Sequence, residues 1–152
     1  METQFISSKK EETLAYGEKL GSILEKPEVI LFTGDLGAGK TTFIQGLAKG
    51  LGITRKINSP TFNILKIYKG RLPLYHIDAY RLEGLRQDLG FEEYLEDTDG
   101  IAAVEWPEYI SYLLPGERIE ISISINEENQ RIFDIKTTGE KENEIVKRWL
   151  NL

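Results

Sequence analysis

The sequence predicts an α/β protein in which helices flank a mixed central sheet, folded as a single domain over residues 1–152. Three observations support this class. Continuous apolar runs at 29–33 and 101–105 are typical of strands that are covered on both faces. A Gly-rich turn connects the first run to a segment with helical spacing, and alternating segments elsewhere predict antiparallel strand pairs. The length suits one domain with a substantial core.

The elements of the first half follow in order. Ser8 and Glu11 have the spacing of a capping box, which predicts a helix that runs to about Glu25. After the strand at 29–33, helical spacing covers residues 40–51. Segments 62–68 and 72–78 alternate as strands around the turn at 69–70, so they are predicted to form an antiparallel hairpin.

The second half adds further strands and helices. The pattern predicts short helices at 91–95 and 108–114, strands at 101–105, 119–125 and 132–135, and a terminal amphipathic helix at 142–150. This succession predicts a mixed sheet, although the sequence only partly determines its strand order.

Composition excludes several kinds of function. The chain has 25 acidic and 19 basic residues, a net charge of -6 and no run of Lys and Arg, which argues against direct, stable binding of nucleic acid. The absence of cysteine excludes disulfides, thiol nucleophiles and thiolate zinc sites. No signal peptide is recognisable, and no apolar stretch approaches the ~18 residues of a membrane span, so a cytoplasmic protein is expected.

The strongest motif is GDLGAGKTT at 34–42, which matches G-x-x-x-x-G-K-[ST] between a predicted strand and a predicted helix. Its glycines allow successive backbone N–H groups to point at a phosphate, next to the helix N-terminus. Lys40 supplies charge to the outer phosphates and Thr41 a hydroxyl for Mg²⁺. The motif predicts a small P-loop NTPase fold, and the absence of an N/T-K-x-D segment favours ATP over GTP. The predicted nucleotide contacts in the loop are Gly37, Ala38, Gly39, Lys40, Thr41 and Thr42.

Magnesium also needs a carboxylate, usually at the end of a neighbouring buried strand. Asp78 and Glu105 compete for this role, and strand ends beside the loop can hold both, one at the metal and the other at a water. In the stretch HIDAYRL at 76–82, strand alternation places His76, Asp78 and Tyr80 on one face. That face is predicted to be part of a site.

Four motifs, GDLGAGKTT, NSPTFNI, YHIDAYRL and AVEWPE, occur in this order. Together they resemble the TsaE (also YjeE) family, the bacterial ATPase component of tRNA threonylcarbamoyladenosine synthesis, over nearly the whole chain. The resemblance implies that the isolated protein binds ATP and Mg²⁺ weakly and that it acts together with TsaD-like and TsaB-like partners. These partners are implied to transfer a threonylcarbamoyl group to N6 of the adenosine beside the anticodon, in tRNAs that read ANN codons. ATP hydrolysis is implied to reset or activate that complex. The acidic balance of the chain predicts that tRNA is reached mainly through the other subunits, or through a local basic patch.

The resemblance also implies roles for individual residues. Lys40, Asp78 and Glu105 form the implied catalytic set, with Thr41 and Glu105 at the magnesium. Thr13 is implied to reach the adenine, although a helix threonine is more often simply exposed. Trp106 is implied to lie at the cleft or at a partner surface rather than only in the core. The remaining switch or partner residues are Ser59, Thr61, Tyr80 and Arg81, of which Tyr80 and Arg81 fit a solvated strand end equally well.

No arginine stands near the motifs as an arginine finger, and Arg131 is assigned no role beyond a strand start. Slow intrinsic hydrolysis that partners stimulate is therefore expected. Two other functions stay open. A small-molecule kinase would transfer phosphate to a metabolite rather than to water, and a nucleotide-gated binding module would keep its partners with a slowly hydrolysed analogue.

Overall fold

The computed structural model describes residues 1–34, 38–58, 64–83 and 90–152, and it confirms an α/β fold with a mixed sheet. Seven strands lie in the order β1-β7-β6-β2-β5-β4-β3. The strands are β1 (Glu2–Ser7), β2 (Glu28–Gly34), β3 (Leu65–Tyr68), β4 (Leu74–Asp78), β5 (Ile101–Glu105), β6 (Arg118–Ile125) and β7 (Arg131–Thr138). The helices are α1 (Lys10–Ile23), α2 (Lys40–Gly50) and α3 (Glu140–Leu150), with short 3₁₀ segments at Tyr80–Leu82, Glu92–Tyr94 and Pro107–Leu113.

The central strands of the sheet are parallel. β2 pairs in parallel with β5 on one side and with β6 on the other, and β5 pairs in parallel with β4. The outer pairs, β1 with β7, β7 with β6, and β3 with β4, are antiparallel. The carboxyl ends of β2, β5 and β4 therefore meet at one edge of the sheet, where ligands bind in open α/β folds.

Hydrophobic cores cover both faces of the central strands. Ile30 and Phe32 of β2 pack in the larger core together with residues of α1, α2 and α3. Val29 and Leu31 point the other way into a smaller core that includes Ile110 of the third 3₁₀ segment. This confirms the prediction that the apolar run at 29–33 is a strand buried on both faces.

Helices α1 and α2 approach closely because glycines line their contact. A Cβ added to Gly46 would lie 2.3 Å from the carbonyl oxygen of Leu14, and one added to Gly50 would lie 2.2 Å from that of Glu18. Gly17 and Gly21 on α1 face α2 backbone in the same way. The two helices can therefore pack backbone to backbone only while these positions lack side chains.

Gly46→Ala is expected to lower the free energy of unfolding by about 2 kcal/mol, because overpacking forces α1 and α2 apart. Urea unfolding followed by circular dichroism measures this loss. Gly116→Ala is the matched control, since a Cβ there meets no atom within 4 Å. Equal stability of the two variants would contradict the close packing of the helices.

Several sequence predictions need correction. β1 was missed. The capping box is wrong, because the N-cap is Lys9 and the backbone N–H of Ser8 donates to Glu12 at 2.9 Å. The first helix ends at Ile23 rather than near Glu25. The last strand extends over Arg131–Thr138, beyond the predicted 132–135. The strand predicted at 62–68 starts at Leu65 among the described residues, and its first two positions lie outside them.

The prediction that Tyr80 lies on the same strand face as His76 and Asp78 is wrong. The strand ends at Asp78, and Tyr80 begins a 3₁₀ segment instead of continuing the strand face of His76. The backbone N–H of Tyr80 donates to Asp78 Oδ1 at 3.1 Å, which turns the chain immediately after the strand.

In the part of the chain that is described, no helix combines the length and apolar character needed to cross a membrane.

Candidate functional site

The candidate site is built at the carboxyl edge of three parallel strands. Asp78 and Glu105 are the last residues of β4 and β5 and stand opposite each other in the strand register. Phe32 of β2 pairs with Glu105 from the other side, two residues before the phosphate-loop sequence begins. Because the strands are parallel, the sheet brings together residues that lie more than 70 positions apart.

Lys40 reaches this edge from the start of α2. The helix follows Gly39, whose φ of 109° is a left-handed conformation that a side chain would strain. Lys40 is only 6% exposed, and its Nζ donates to the carbonyl of Gly34 at 2.9 Å. The same ammonium lies 4.7 Å from the centre of the Trp106 ring, within the range of a cation–π contact. A single positive charge is therefore held at the strand ends.

Glu105 is buried and is held by the chain's only histidine. His76 Nε2 lies 2.7 Å from Glu105 Oε2, and His76 is completely buried. The two residues share a face of the sheet, because His76 pairs with Ala103, two positions before Glu105. Glu105 itself is only 5% exposed.

Asp78 is the more accessible carboxylate. Burial raises its pKa above the ordinary value, and the nearby charge of Glu105 raises it further. The hydrogen bond from the Tyr80 N–H and the charge of Lys40 act in the opposite direction. Asp78, Glu105 and Lys40 therefore form one electrostatically coupled group.

Trp106 adopts an unusual backbone conformation directly after Glu105. Its φ of 56° and ψ of 50° are left-handed, which is uncommon for a large side chain. The indole stands 5.0 Å from the Tyr80 ring and 5.9 Å from the Tyr109 ring, measured between centroids. Tyr80 is 55% exposed, so the aromatic group extends from Lys40 to the surface.

A cavity of about 290 Å³ opens beside the N-terminus of α2. Thr13, Gly39, Thr42 and Arg131 contribute to its lining. Thr13 is buried rather than exposed, and its hydroxyl lies 2.7 Å from that of Ser7. The alternative that Thr13 is simply an exposed helix residue is therefore wrong.

Arg131 is the residue whose position the sequence did not indicate. A Cβ added to Gly39 would lie 3.9 Å from Arg131 Cγ, although Arg131 starts β7 far along the chain. The guanidinium donates to the backbone carbonyl of Asn129 at 3.2 Å. The sequence assigned Arg131 no role beyond a strand start, because only the sheet order, with β7 beside β1, brings it next to the start of α2.

The other predicted site residues divide into two groups. Ala38 is buried next to Gly39, Thr41 lies in the first turn of α2, and Arg81 is exposed in the 3₁₀ segment after Ala79. Three predicted residues, Gly37, Ser59 and Thr61, lie outside the described residues.

The donor set at the strand ends suits Mg²⁺ bound together with a nucleotide. Magnesium in phosphate-transfer sites is usually held by one or two carboxylates and the substrate phosphates, not by a cage of protein ligands. Asp78 and Glu105 supply such carboxylates, and Thr41 supplies a hydroxyl at the adjoining helix start. Within the described ranges no group of three or more His, Cys, Asp or Glu residues is arranged to hold a metal ion by itself.

The strand, Gly-rich loop sequence and helix, with acidic strand ends beside them, define an α/β protein of P-loop-like fold. The family model "Threonylcarbamoyl adenosine biosynthesis protein TsaE" matches residues 7–133. The chain belongs to the TsaE family, whose members are proteins of tRNA threonylcarbamoyladenosine biosynthesis.

Individual relatives agree with this membership. The tRNA threonylcarbamoyladenosine biosynthesis protein TsaE of Bacillus subtilis (strain 168) is 45% identical over 132 residues, which cover 86% of this chain and 83% of the relative. The protein of that name from Treponema pallidum (strain Nichols) is 41% identical over 128 residues, covering 83% and 94%. The crystal structure of Bacillus subtilis YdiB superimposes with a TM-score of 0.87 at 34% identity, over 99% of this chain and 95% of that one.

Proposed function

We propose that this protein is a Mg²⁺-dependent ATPase of the tRNA threonylcarbamoyladenosine pathway, slow by itself and stimulated by partners. The partners are TsaD-like and TsaB-like subunits, which carry out the transfer to tRNA in the cytoplasm. ATP hydrolysis by this subunit resets their complex between turnovers, and tRNA is contacted through the complex.

The observation that carries the proposal is the meeting of Lys40, Asp78 and Glu105 at one strand edge. Lys40 follows the phosphate-loop sequence directly and supplies a point charge for the outer phosphates. Glu105 and Thr41 are the proposed magnesium ligands, and Asp78 stands where it can orient a metal-bound or attacking water. When bound, Mg²⁺ supplies charge neutralisation for the phosphoryl group that is transferred.

The half-exposed position of Asp78 fits the water-positioning role better than that of Glu105. Glu105 is buried and fixed by His76, whereas Asp78 lies next to the surface at Tyr80. A residue that handles water needs access to it, and a residue that fixes a cation needs a rigid position.

The proposal is tested by measuring phosphate release from ATP with and without Mg²⁺, for the protein alone and with both partner subunits. We expect slow phosphate release by the protein alone and a clear rise when the partners are added. Water should be the only acceptor of the phosphoryl group. Transfer of phosphate to an added metabolite would replace the ATPase by a kinase. Full support of tRNA modification with a slowly hydrolysed analogue over many turnovers would favour a nucleotide-gated binding module.

Arg131 supplies a further test of the cavity. We propose that the cavity beside Gly39 and Thr42 receives the nucleoside end of ATP, with Thr13 near the adenine. Arg131→Gln is then expected to raise the dissociation constant for ADP about tenfold, since a charged hydrogen bond is lost. Calorimetric titration measures this change. Arg148→Gln, on the exposed face of α3, is the control and is expected to bind ADP normally. Unchanged affinity in Arg131→Gln would place the nucleoside elsewhere.

A further inference from the structure

His76 is an unusual residue to bury in the middle of a sheet. It is 0% exposed and lies on β4 between Leu74 and Asp78, on the face that packs against the larger core. Its register partner on β5 is Ala103, whose small side chain leaves room above it for an imidazole. From that position the ring reaches diagonally to Glu105, two residues further along β5.

The hydrogen-bond pattern of the ring indicates which nitrogen carries the proton. Nε2 lies 2.7 Å from Glu105 Oε2, whereas Nδ1 is buried and has no hydrogen-bond partner among the described residues. An ionised carboxylate can only accept a hydrogen bond, so the ring nitrogen that faces Glu105 must be the donor, and a proton on Nδ1 would leave a buried donor without an acceptor. Nε2 therefore carries the proton, and His76 donates to the Glu105 carboxylate.

We propose that His76 is a positioning residue for Glu105. Its Nε2–H fixes one carboxylate oxygen of Glu105 and leaves the other for the nucleotide-bound cation. The inference rests on the proposed function for the role of Glu105. The hydrogen bond itself rests on the structure alone. A glutamate has three side-chain torsions, so a rigid partner within the sheet removes freedom that a metal ligand at a strand end would otherwise retain.

The alternative is that His76 only fills space in the core. Two variants separate these roles, because glutamine and methionine have the same unbranched length but differ at the tip. His76→Gln keeps an N–H at about the position of Nε2, whereas His76→Met keeps the volume and loses the donor. A purely space-filling role predicts that methionine is tolerated at least as well as glutamine.

The kinetic test measures the Mg²⁺ concentration for half-maximal ATPase activity in the partner-stimulated assay. We expect His76→Met to raise it about tenfold, and His76→Gln to stay within about threefold of the wild-type protein. Magnesium-free ADP affinity should be the same in both variants, since the phosphate loop is unchanged. Equal magnesium dependence in the two variants, or an equal loss of magnesium-free ADP affinity, would overturn the inference.

The pairwise coupling provides a second criterion. In a Glu105→Gln background, His76→Met is expected to have little additional effect on magnesium dependence, because the carboxylate that His76 positions has been removed. Additive effects of the two substitutions would show that His76 acts independently of Glu105, and would overturn the inference.

A spectroscopic measurement does not depend on activity. The chain contains one histidine, so ¹⁵N-detected NMR of protein without a histidine tag shows a single imidazole. We expect a slowly exchanging proton on Nε2 and none on Nδ1, and a changed Nε2 shift in Glu105→Gln. A proton on Nδ1, or no response to Glu105→Gln, would overturn the hydrogen bond. Absence of ATP turnover in the wild-type protein with partners would overturn the proposed function instead, while the NMR result would still decide the pairing.

Discussion

Lys40→Ala is expected to lower partner-stimulated ATP hydrolysis at least about a hundredfold, which is the usual cost of removing one preorganised charged donor from a transition state. Lys40 is nearly fully buried and lies close enough to Asp78 for its charge to lower the pKa of that carboxyl group. Alanine removes the fixed ammonium, for which water is a poor substitute. Phosphate release under saturating ATP and Mg²⁺ measures the effect.

The control for this substitution lies on the same helix. Lys49 is in the last turn of α2, its side chain is 73% exposed, and it approaches Glu18 only to 3.8 Å. Lys49→Ala should hydrolyse ATP at the wild-type rate, because exposed ion pairs of this kind contribute little. Comparable loss of hydrolysis in both variants would attribute the effect to α2 as a whole, and would contradict the assignment of Lys40 to the phosphates.

The second large effect concerns stability and pH, at the end of the sheet opposite the site. Glu28 at the start of β2 and Glu142 in α3 are both almost fully buried. Glu28 Oε2 and Glu142 Oε1 have no hydrogen-bond donor within the described part of the chain. Burial is the largest of the causes that raise the pKa of Glu28 to about 8; the neighbouring carboxyl group of Glu142 adds to the rise and Lys141 opposes it. Glu28 therefore keeps a proton in the folded protein at neutral pH.

This proton makes stability fall as the pH rises. Below about 4.5, the ordinary value for Glu28, the group is protonated in both the folded and the unfolded chain. Between about 4.5 and about 8 the folded chain keeps a proton that the unfolded chain has lost, so each increase in pH favours unfolding. The stabilising contribution is present at acidic pH and has been lost once the pH passes about 8.

Glu28→Gln removes this titration, because an amide does not ionise. Relative to wild type, the variant should gain stability between pH 5 and pH 9, reaching on the order of 4 kcal/mol at the alkaline end, since each unit of pKa difference corresponds to about 1.4 kcal/mol. Urea unfolding at pH 5, 7 and 9 measures the difference. Glu144→Gln, on the exposed face of α3, should show no such trend. A constant difference between Glu28→Gln and wild type across pH would refute the raised pKa of Glu28.

The sequence predicted the chemistry of the site better than its assembly. Asp78 and Glu105 were predicted as competing strand-end acids because each ends an apolar run, and the parallel register places them side by side. That the end of β2 lies next to Glu105 depends on the strand order, which arises from long-range pairing and leaves no local pattern. His76 was recognised as facing the site, but its bond to Glu105 requires the neighbouring strand.

Elements whose stability comes from distant partners were the ones that local patterns missed. β1 exists because Phe5 and Ser7 pair with β7, and a short N-terminal segment has no strong strand signal of its own. Arg131 was assigned only a strand start for the same reason. Tyr80 was misplaced because the Asp78 carboxylate turns the chain, and side-chain to backbone hydrogen bonds of this kind override simple alternation.

The pairing of β1 with β7 has a consequence for how the protein is made. The cavity beside Gly39 is lined by Ser7 and Thr13, which are synthesised first, and by Arg131 of β7, which is synthesised late. The phosphate loop and the acidic strand ends emerge well before that. If this cavity receives the nucleoside, as proposed, a nascent chain carries the residues proposed for the phosphates before it carries those proposed for the nucleoside. Full nucleotide binding is then expected only of a chain synthesised at least through β7.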